Sequence, residues 1–400
     1  MTTGSYLPDS EDLLRPPTKR VTPQAWLHEN LFNSWFNTAL TLISAALLIA
    51  VISGFLSWAF GAARWAVIPA NLKIFMTGTY PGEQLFRVWL VLGIALALMG
   101  LSAGVWQGLL LKYTYAVAIF CGILTLLPLG QARLYLGVIV VAMIAGIALG
   151  WRRSNWQRWV LLAWLLSLPV MAILLLGGGI TGMRLVSTRQ WSGLLLTFVL
   201  TIWSLILGFP LGVLLALGRS NATLPVVRLV CTFTIELIRG IPLTVILFAA
   251  SLLLPFFLAG ARIDLVFRAT VGLTLFTAVY MAEDIRGGLQ SIPSGQAEAA
   301  RALGLNPAQI TFLVVLPQAL RTSIPSLVGS FLTMFKDTSL VFIIGLIDLL
   351  GAGRAAFAQP EWLGTQAECL IFVGVIYAIF CFAISYASQQ LEKSLGLGDR

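Results

Sequence analysis

Long apolar runs constrain the fold of this 400-residue chain more than any other feature. The hydrocarbon core of a bilayer, roughly 30 Å thick, is crossed by about 20 helical residues at ~1.5 Å each. On that measure, helices fall near 35–60, 87–111, 113–131, 134–151 and 159–182, then near 192–218, 226–256, 264–283, 326–347 and 368–390. The runs are continuous and do not alternate with period two, which disfavours a membrane barrel. Backbone amides in lipid must be satisfied within their own segment. The expected fold is therefore an all-α polytopic membrane protein with about ten transmembrane helices.

Charge supports this reading and excludes others. Only 10% of the residues are Asp, Glu, Lys or Arg, against roughly 25% in soluble domains, so a soluble enzyme is excluded. The net charge of +9 contains no dense basic run; basic residues sit at the ends of apolar stretches, as a topology signal does, and no nucleic-acid surface is implied. With the N-terminus inside, fourteen basic residues fall on the cytoplasmic side and nine outside, while Arg239 and Lys336 land within membrane segments. The bias favours cytoplasmic termini. It places the long connection 61–86 outside, partly in the interface, and the connection 284–325 inside. The junction at 112–113 is so tight that the second and third helices could be one element. Residues 1–34 show no cleavable signal peptide. Cys121, Cys231, Cys369 and Cys381 read as small apolar residues without metal or disulfide spacing. His28 is the single histidine, which disfavours a membrane haem protein.

One stretch interrupts the apolar pattern: "EAARALGLNPAQITFLVVLP", residues 298–317. Pro293 and Ser294 signal a helix start, and Gly304 suits a left-handed C-terminal position. Asn306-Pro307 supplies an N-cap and first-turn proline for a second helix, which Pro317 should end or kink. Ala297, Ala299, Ala300 and Ala302 leave the first helix nearly without bulk, so another surface can approach its backbone. The result is a compact cytoplasmic knob, suited to docking, although an ordinary surface-lying helical loop would carry the same signals.

Glu298-Ala299-Ala300, Gly304 and Val314-x-Leu316-Pro317 resemble the EAA loop of permease subunits in ABC importers, with Val314 where Ile is usual. "LGFPLGVLLALGR" (207–219), "IELIRGIPL" (235–243), "YMAEDIRGGLQSIPSGQ" (280–296) and "FKDTSL" (335–340) are similar to the polar amino-acid branch; Asp284 stands where that branch suggests an aliphatic residue. "WLHENLFNSWFNTALTL" (26–42) and "GTYPGEQ" (78–84) resemble the long permease of general L-amino-acid uptake systems. The resemblance implies five extra helices in 35–185 and a type I importer permease core in 186–395, between a cytoplasmic segment 1–34 and a tail 396–400. It implies that Glu298, Ala299, Ala300, Gly304, Leu305 and Pro317 belong to a coupling helix that docks on a separate ATPase. The implied partners are two ATPase subunits, a second homologous permease, a periplasmic binding protein and an L-amino acid, in the bacterial inner membrane. No Gly-x-x-x-x-Gly-Lys-[Ser/Thr] occurs, so ATP and Mg are expected on the partner ATPase. The chain itself is expected to bind no cofactor and catalyse no reaction.

Two intramembrane clusters are candidate substrate-path or gate residues. Glu236 and Arg239 lie three apart and can pair on one helix face; Gly240 and Pro242 argue for a break just beyond them. Either they form a structural ion pair, or Arg239 meets a substrate carboxylate or holds a gate. Lys336 and Asp337 are adjacent and do not face one another on a regular helix, so they have separate partners or the helix is interrupted. Either they brace helices or, with Thr338 and Ser339, they line a zwitterion path. "ILLLGGG" (173–179) and "GVIVVAMIAGIALG" (137–150) permit close helix approach; otherwise the N-terminal helices read as packing or partner-contact elements. An ion-coupled secondary transporter using Glu236, Arg239, Lys336 and Asp337 is the alternative. A membrane enzyme would need a nucleophile or metal cluster not visible here.

Overall fold

The computed structural model describes residues 22–128, 130–178, 182–221, 223–257, 263–394 and 396. Expectations for residues 1–21, 395 and 397–400, and for Arg262, lie outside the described residues. Among those described there is no strand, only two isolated bridges, and the chain is helical almost throughout. It divides into two units, 1–64 and 65–400.

The first unit contains α1 (Pro23–Leu31) and α2 (Trp35–Ser57). Ser34 caps α2 by accepting the Asn37 amide at 3.2 Å, as a short hydroxyl side chain should at an N-cap. A π turn, Trp58–Ala62, closes the segment.

The second unit opens with residues of the 61–86 connection, and these are more deeply built in than an interfacial loop. Val67, Phe75 and Tyr80 are fully buried. Two short helices, Val67–Ala70 and Leu72–Thr77, pack on later parts of the chain. Ser192 Oγ accepts the Thr79 amide at 3.0 Å, and Gln359 donates to Asn71 Oδ1 at 2.7 Å. Buried apolar side chains and bridging amides, scattered in sequence, thus fasten this loop to the C-terminal half.

Four helices follow: α3 (Leu85–Trp106), α4 (Gly108–Leu124), α5 (Ala132–Arg152) and α6 (Gln157–Leu176). The break between the first two falls at Gln107–Gly108, both at positive φ, rather than at 112–113. The small residues of 137–150 find their partner in α3. A Cβ added at Gly100, Gly104, Gly146 or Gly150 would lie closer than 3.0 Å to backbone of the facing helix. Arg87, expected on the outer side at the start of the 87–111 run, lies in the first turn of α3 and is fully buried, donating to the Arg184 carbonyl at 2.8 Å.

The C-terminal region comprises α7 (Gly193–Ser220), α8 (Pro225–Arg239), α9 (Leu243–Leu252), α10 (Leu265–Ser291), α11 (Ser294–Ala302), α12 (Leu316–Asp337), α13 (Leu349–Phe357) and α14 (Gln366–Ser394). Helices α8 and α9 meet at 107° across Gly240–Pro242, so the break anticipated there is present. Among the described residues, eight helical segments are long and apolar enough to cross a membrane, or up to nine if the bent pair is one span. The apolar α4 is shorter, at 17 residues. With the bent pair and α4, each anticipated run has its counterpart.

Helices α7 and α10 run parallel: Gly208 packs by Thr277, Gly212 by Ala278, and Arg219 reaches Glu283. Helix α12 runs antiparallel to α10, with Ser323 beside Gly288 and Met334 beside Thr277. Leu196, Leu200, Leu247, Leu273 and Val341 fill the core between these helices.

Candidate functional site: a docking knob, an ion-pair hub and a cavity

The knob at 294–315 is closed by its own backbone. Leu305 N donates to Ala300 O at 3.2 Å, and Gly304 N to Arg301 O at 2.9 Å. This paired closure requires a left-handed residue after the helix cap, and Gly304 supplies it at φ +83°. Asn306 Oδ1 then accepts the Gln309 amide while Gln309 Oε1 accepts that of Asn306, both at 2.9 Å. The reciprocal cap fixes the start of the next helix. Ala300 is buried, whereas Glu298 and Ala299 are exposed and Leu305 is half-buried. Leu303 stands at the tip, 83% exposed.

Pro317 does not end the helix it sits in. A π turn, Ile310–Val315, precedes α12, which runs on to Asp337. Proline removes one amide and clashes with the carbonyl four residues back; a widened turn at that place accommodates both. Pro317 thus joins the knob directly to α12.

The expected Glu236–Arg239 pair is replaced by pairs between helices. Glu236 Oε1 binds Arg219 Nη2 at 2.8 Å, while Arg239 Nη1 lies 3.3 Å from Glu283 Oε2. Glu283 is the hub, meeting Arg219 at 2.9 Å and Arg286 at 3.0 Å as well. The Arg239 guanidinium also lies over the Tyr280 ring, 5.9 Å from its centroid. The reason is geometric: the ends of α7 and α8 converge on α10, and a carboxylate from α10 offers more guanidinium contacts than Glu236, which is 56% exposed against 16% for Glu283. Sequence reasoning missed Glu283 as a centre. The available signal was Glu283 three residues before Arg286, since such pairs share a helix face.

Between α10 and α12 lies a cavity of about 370 Å³. Its wall includes Phe276 and Tyr280 from α10 and Ser326, Ser330, Thr333 and Asp337 from α12. Lys336 is exposed and lies off this wall, so the two adjacent charges do face different surroundings. The helix is interrupted there: Thr338–Ile344 is a 3₁₀ segment ended by Gly345 in the left-handed region. Thr338 is buried and donates to Phe335 O at 2.8 Å. Neither Thr338 nor the half-buried Ser339 lines the cavity.

Beyond the interruption, Asp348 caps α13 through the amides of Leu350 and Gly351 and accepts Tyr377 Oη at 3.1 Å. Burial pushes its carboxyl above the usual range, opposed by these hydrogen bonds. Among the described residues no His, Cys, Asp and Glu group is arranged to hold a metal ion.

The family described as "Binding-protein-dependent transport system inner membrane component" matches residues 208–396. The inner membrane amino-acid ABC transporter permease protein YhdY of Escherichia coli is 36% identical over 93% of this chain and 93% of its own length. The chain belongs to this permease family. This permease is also 34% identical to the glutamate/glutamine/aspartate/asparagine transport system permease protein BztC of Rhodobacter capsulatus, with 95% of each covered. The probable glutamine ABC transporter permease protein GlnP of Bacillus subtilis is 34% identical over 91% of its own length but only 50% of this one. Membership makes this permease a multi-pass membrane transporter component of the ABC type and not a catalytic enzyme. It supports the ATP-driven reading and not the ion-coupled alternative.

Proposed function

We propose that this chain is the transmembrane permease of an ATP-driven importer of L-amino acids in the bacterial inner membrane. It works with a second, homologous permease, two ATPase subunits that hold ATP and Mg, and a periplasmic binding protein, and both its termini are cytoplasmic. The observation that carries the reading is one of connectivity. The knob is flanked in sequence by α10 and α12, and these two helices line the cavity. A partner that pulls on the knob is therefore linked to both walls, through the two extended residues Ile292 and Pro293 to α10 and through the π turn to α12.

In this reading Glu298, Ala299, Gly304 and Leu305 form the surface that meets the ATPase, Ala300 packs beneath it, and Leu303 is its apolar tip. Pro317 and the π turn carry the load into α12. Glu283, with Arg219, Arg239 and Arg286, ties the ends of α7 and α8 to α10, so the bent α8–α9 segment moves with the cavity wall. Asp337 faces the ammonium of a passing zwitterion, and Arg239 is the gate-side cation. Supporting this assignment are the exposed Ala299 and Ala302 of α11 and the similarity to amino-acid permeases over 93% of the chain.

The test is reconstitution of this chain with its companion permease, ATPase and binding protein in proteoliposomes. Amino-acid uptake should require ATP inside and binding protein outside, and should stop when Glu298→Arg prevents the ATPase from binding. Uptake by this chain alone under an ion gradient would refute the proposal.

A further inference from the structure

Glu283 and Asp284 are sequence neighbours in opposite circumstances. Glu283 contacts three arginines. Among the described residues, no Lys or Arg nitrogen lies within 4.0 Å of the Asp284 carboxylate. Its side-chain partner is a hydroxyl of α12: Ser330 Oγ donates to Oδ2 at 2.6 Å. An ionised side chain in a membrane span costs about 2.5–3.5 kcal/mol by insertion scales, and it is retained where it meets a partner or a water-filled cavity. A carboxylate offers roughly four acceptor positions, so one hydroxyl leaves it able to take a cation.

The surroundings say where that cation would come from. Ser330, which holds Asp284, lines the cavity, as do Ser326, Thr333 and Asp337. These four residues recur at helical spacing and form one polar stripe along α12. Seven residues separate Ser330 from Asp337, which is ~10 Å along a helix.

We propose that Asp284 is a second cation-accepting station on the permeation path, taking an ammonium or guanidinium group of the substrate about 10 Å along α12 from Asp337. The proposal rests on the reading of the α10–α12 cavity as the substrate path. Asp337 lies in the cavity wall and Asp284 directly behind Ser330 of that wall, which holds no basic side chain; two carboxylates so placed favour amino acids with a second positive charge. A cationic side chain reaches one carboxylate while the α-ammonium reaches the other. Acidic and aliphatic amino acids engage only one station at a time.

The experiment uses the complete transporter in proteoliposomes and compares uptake of arginine, leucine and glutamate. Asp284→Asn should lower kcat/KM for arginine about tenfold relative to leucine and glutamate, equivalent to ~1.4 kcal/mol, and Asp284→Glu should restore most of it. Equal loss for all three substrates, no loss for any, or failure of the unmodified transporter to carry arginine or lysine would overturn the second station. Gly329→Leu tests the underlying path separately: Gly329 lines the cavity, and a Cβ there meets nothing within 4 Å. This variant should assemble and block all three substrates. If it assembles and transports them normally, the path reading itself fails. If it blocks while Asp284→Asn leaves the substrate ratio unchanged, only the second station is lost.

Discussion

Gly304 offers the sharpest test of the docking knob, because backbone and steric effects can be separated there. Its φ of +83° closes the paired hydrogen bonds from Leu305 and Gly304 that end α11. A Cβ at this position meets nothing within 4 Å. Alanine therefore introduces no clash within the chain, and its whole cost is that of holding an L-residue in the left-handed region, ~1–2 kcal/mol. If the variant loop relaxes when free, that cost is recovered as weaker docking, about 5- to 30-fold in Kd. Asparagine tolerates the left-handed region better and should lose less; valine, β-branched, should lose more.

The assay is titration of the system's ATPase subunit onto the permease in nanodiscs, comparing Gly304 with Asn, Ala and Val at that position. The expected order of affinity is Gly, Asn, Ala, Val. If Ala binds as tightly as Gly, the left-handed turn is not what docking requires. If Asn is worse than Ala, side-chain volume decides the result, and the knob meets its partner through the glycine itself.

Two further outcomes follow from the packing. Glu283→Gln leaves Arg239 and Arg286, 38% and 30% exposed, without their carboxylate and Arg219 with Glu236 alone; allowing for solvent screening, it should cost about 2 kcal/mol. Glu236→Gln, at a carboxylate 56% exposed, should cost ~1 kcal/mol or less. Thermal unfolding in detergent, followed by tryptophan fluorescence, should show the difference, and equal shifts would remove Glu283 as the hub. On α5, Gly146→Leu should cost about 1–3 kcal/mol or more, because a Cβ there collides with the backbone of α3. Gly137→Leu on the same helix meets open space and should unfold at the original temperature. Equal destabilisation by both would refute the close seam.

What could be read from the residues and what could not divides along a physical line. Signals local in sequence translated well. Apolar length marked the spans, Gly240-Ile241-Pro242 marked the bend, and Gly304 with Asn306-Pro307 marked the turn and cap, because each depends on backbone preferences within a few residues. Pro317 shows the limit of that logic. A proline rule alone predicts an end or a kink, yet a π turn just before it lets the helix continue.

Pairing between helices was not legible, since it depends on rotation and register between segments tens of residues apart. Glu236 and Arg239 satisfy a helix-surface rule for pairing. However, the converging ends of α7, α8 and α10 give each a different partner. The 65–80 loop was hidden for the same reason, because its anchors Ser192 and Gln359 lie more than a hundred residues away. The stripe Ser326, Ser330, Thr333 and Asp337 acquired meaning only once antiparallel α10 set Asp284 beside Ser330. In a membrane protein, where lipid already satisfies apolar surface, such polar cross-contacts carry the information about function that hydropathy cannot hold. The contrast between Glu283 with its three arginines and Asp284 with none is a property of register, and it distinguishes a carboxylate occupied by structure from one left for a ligand.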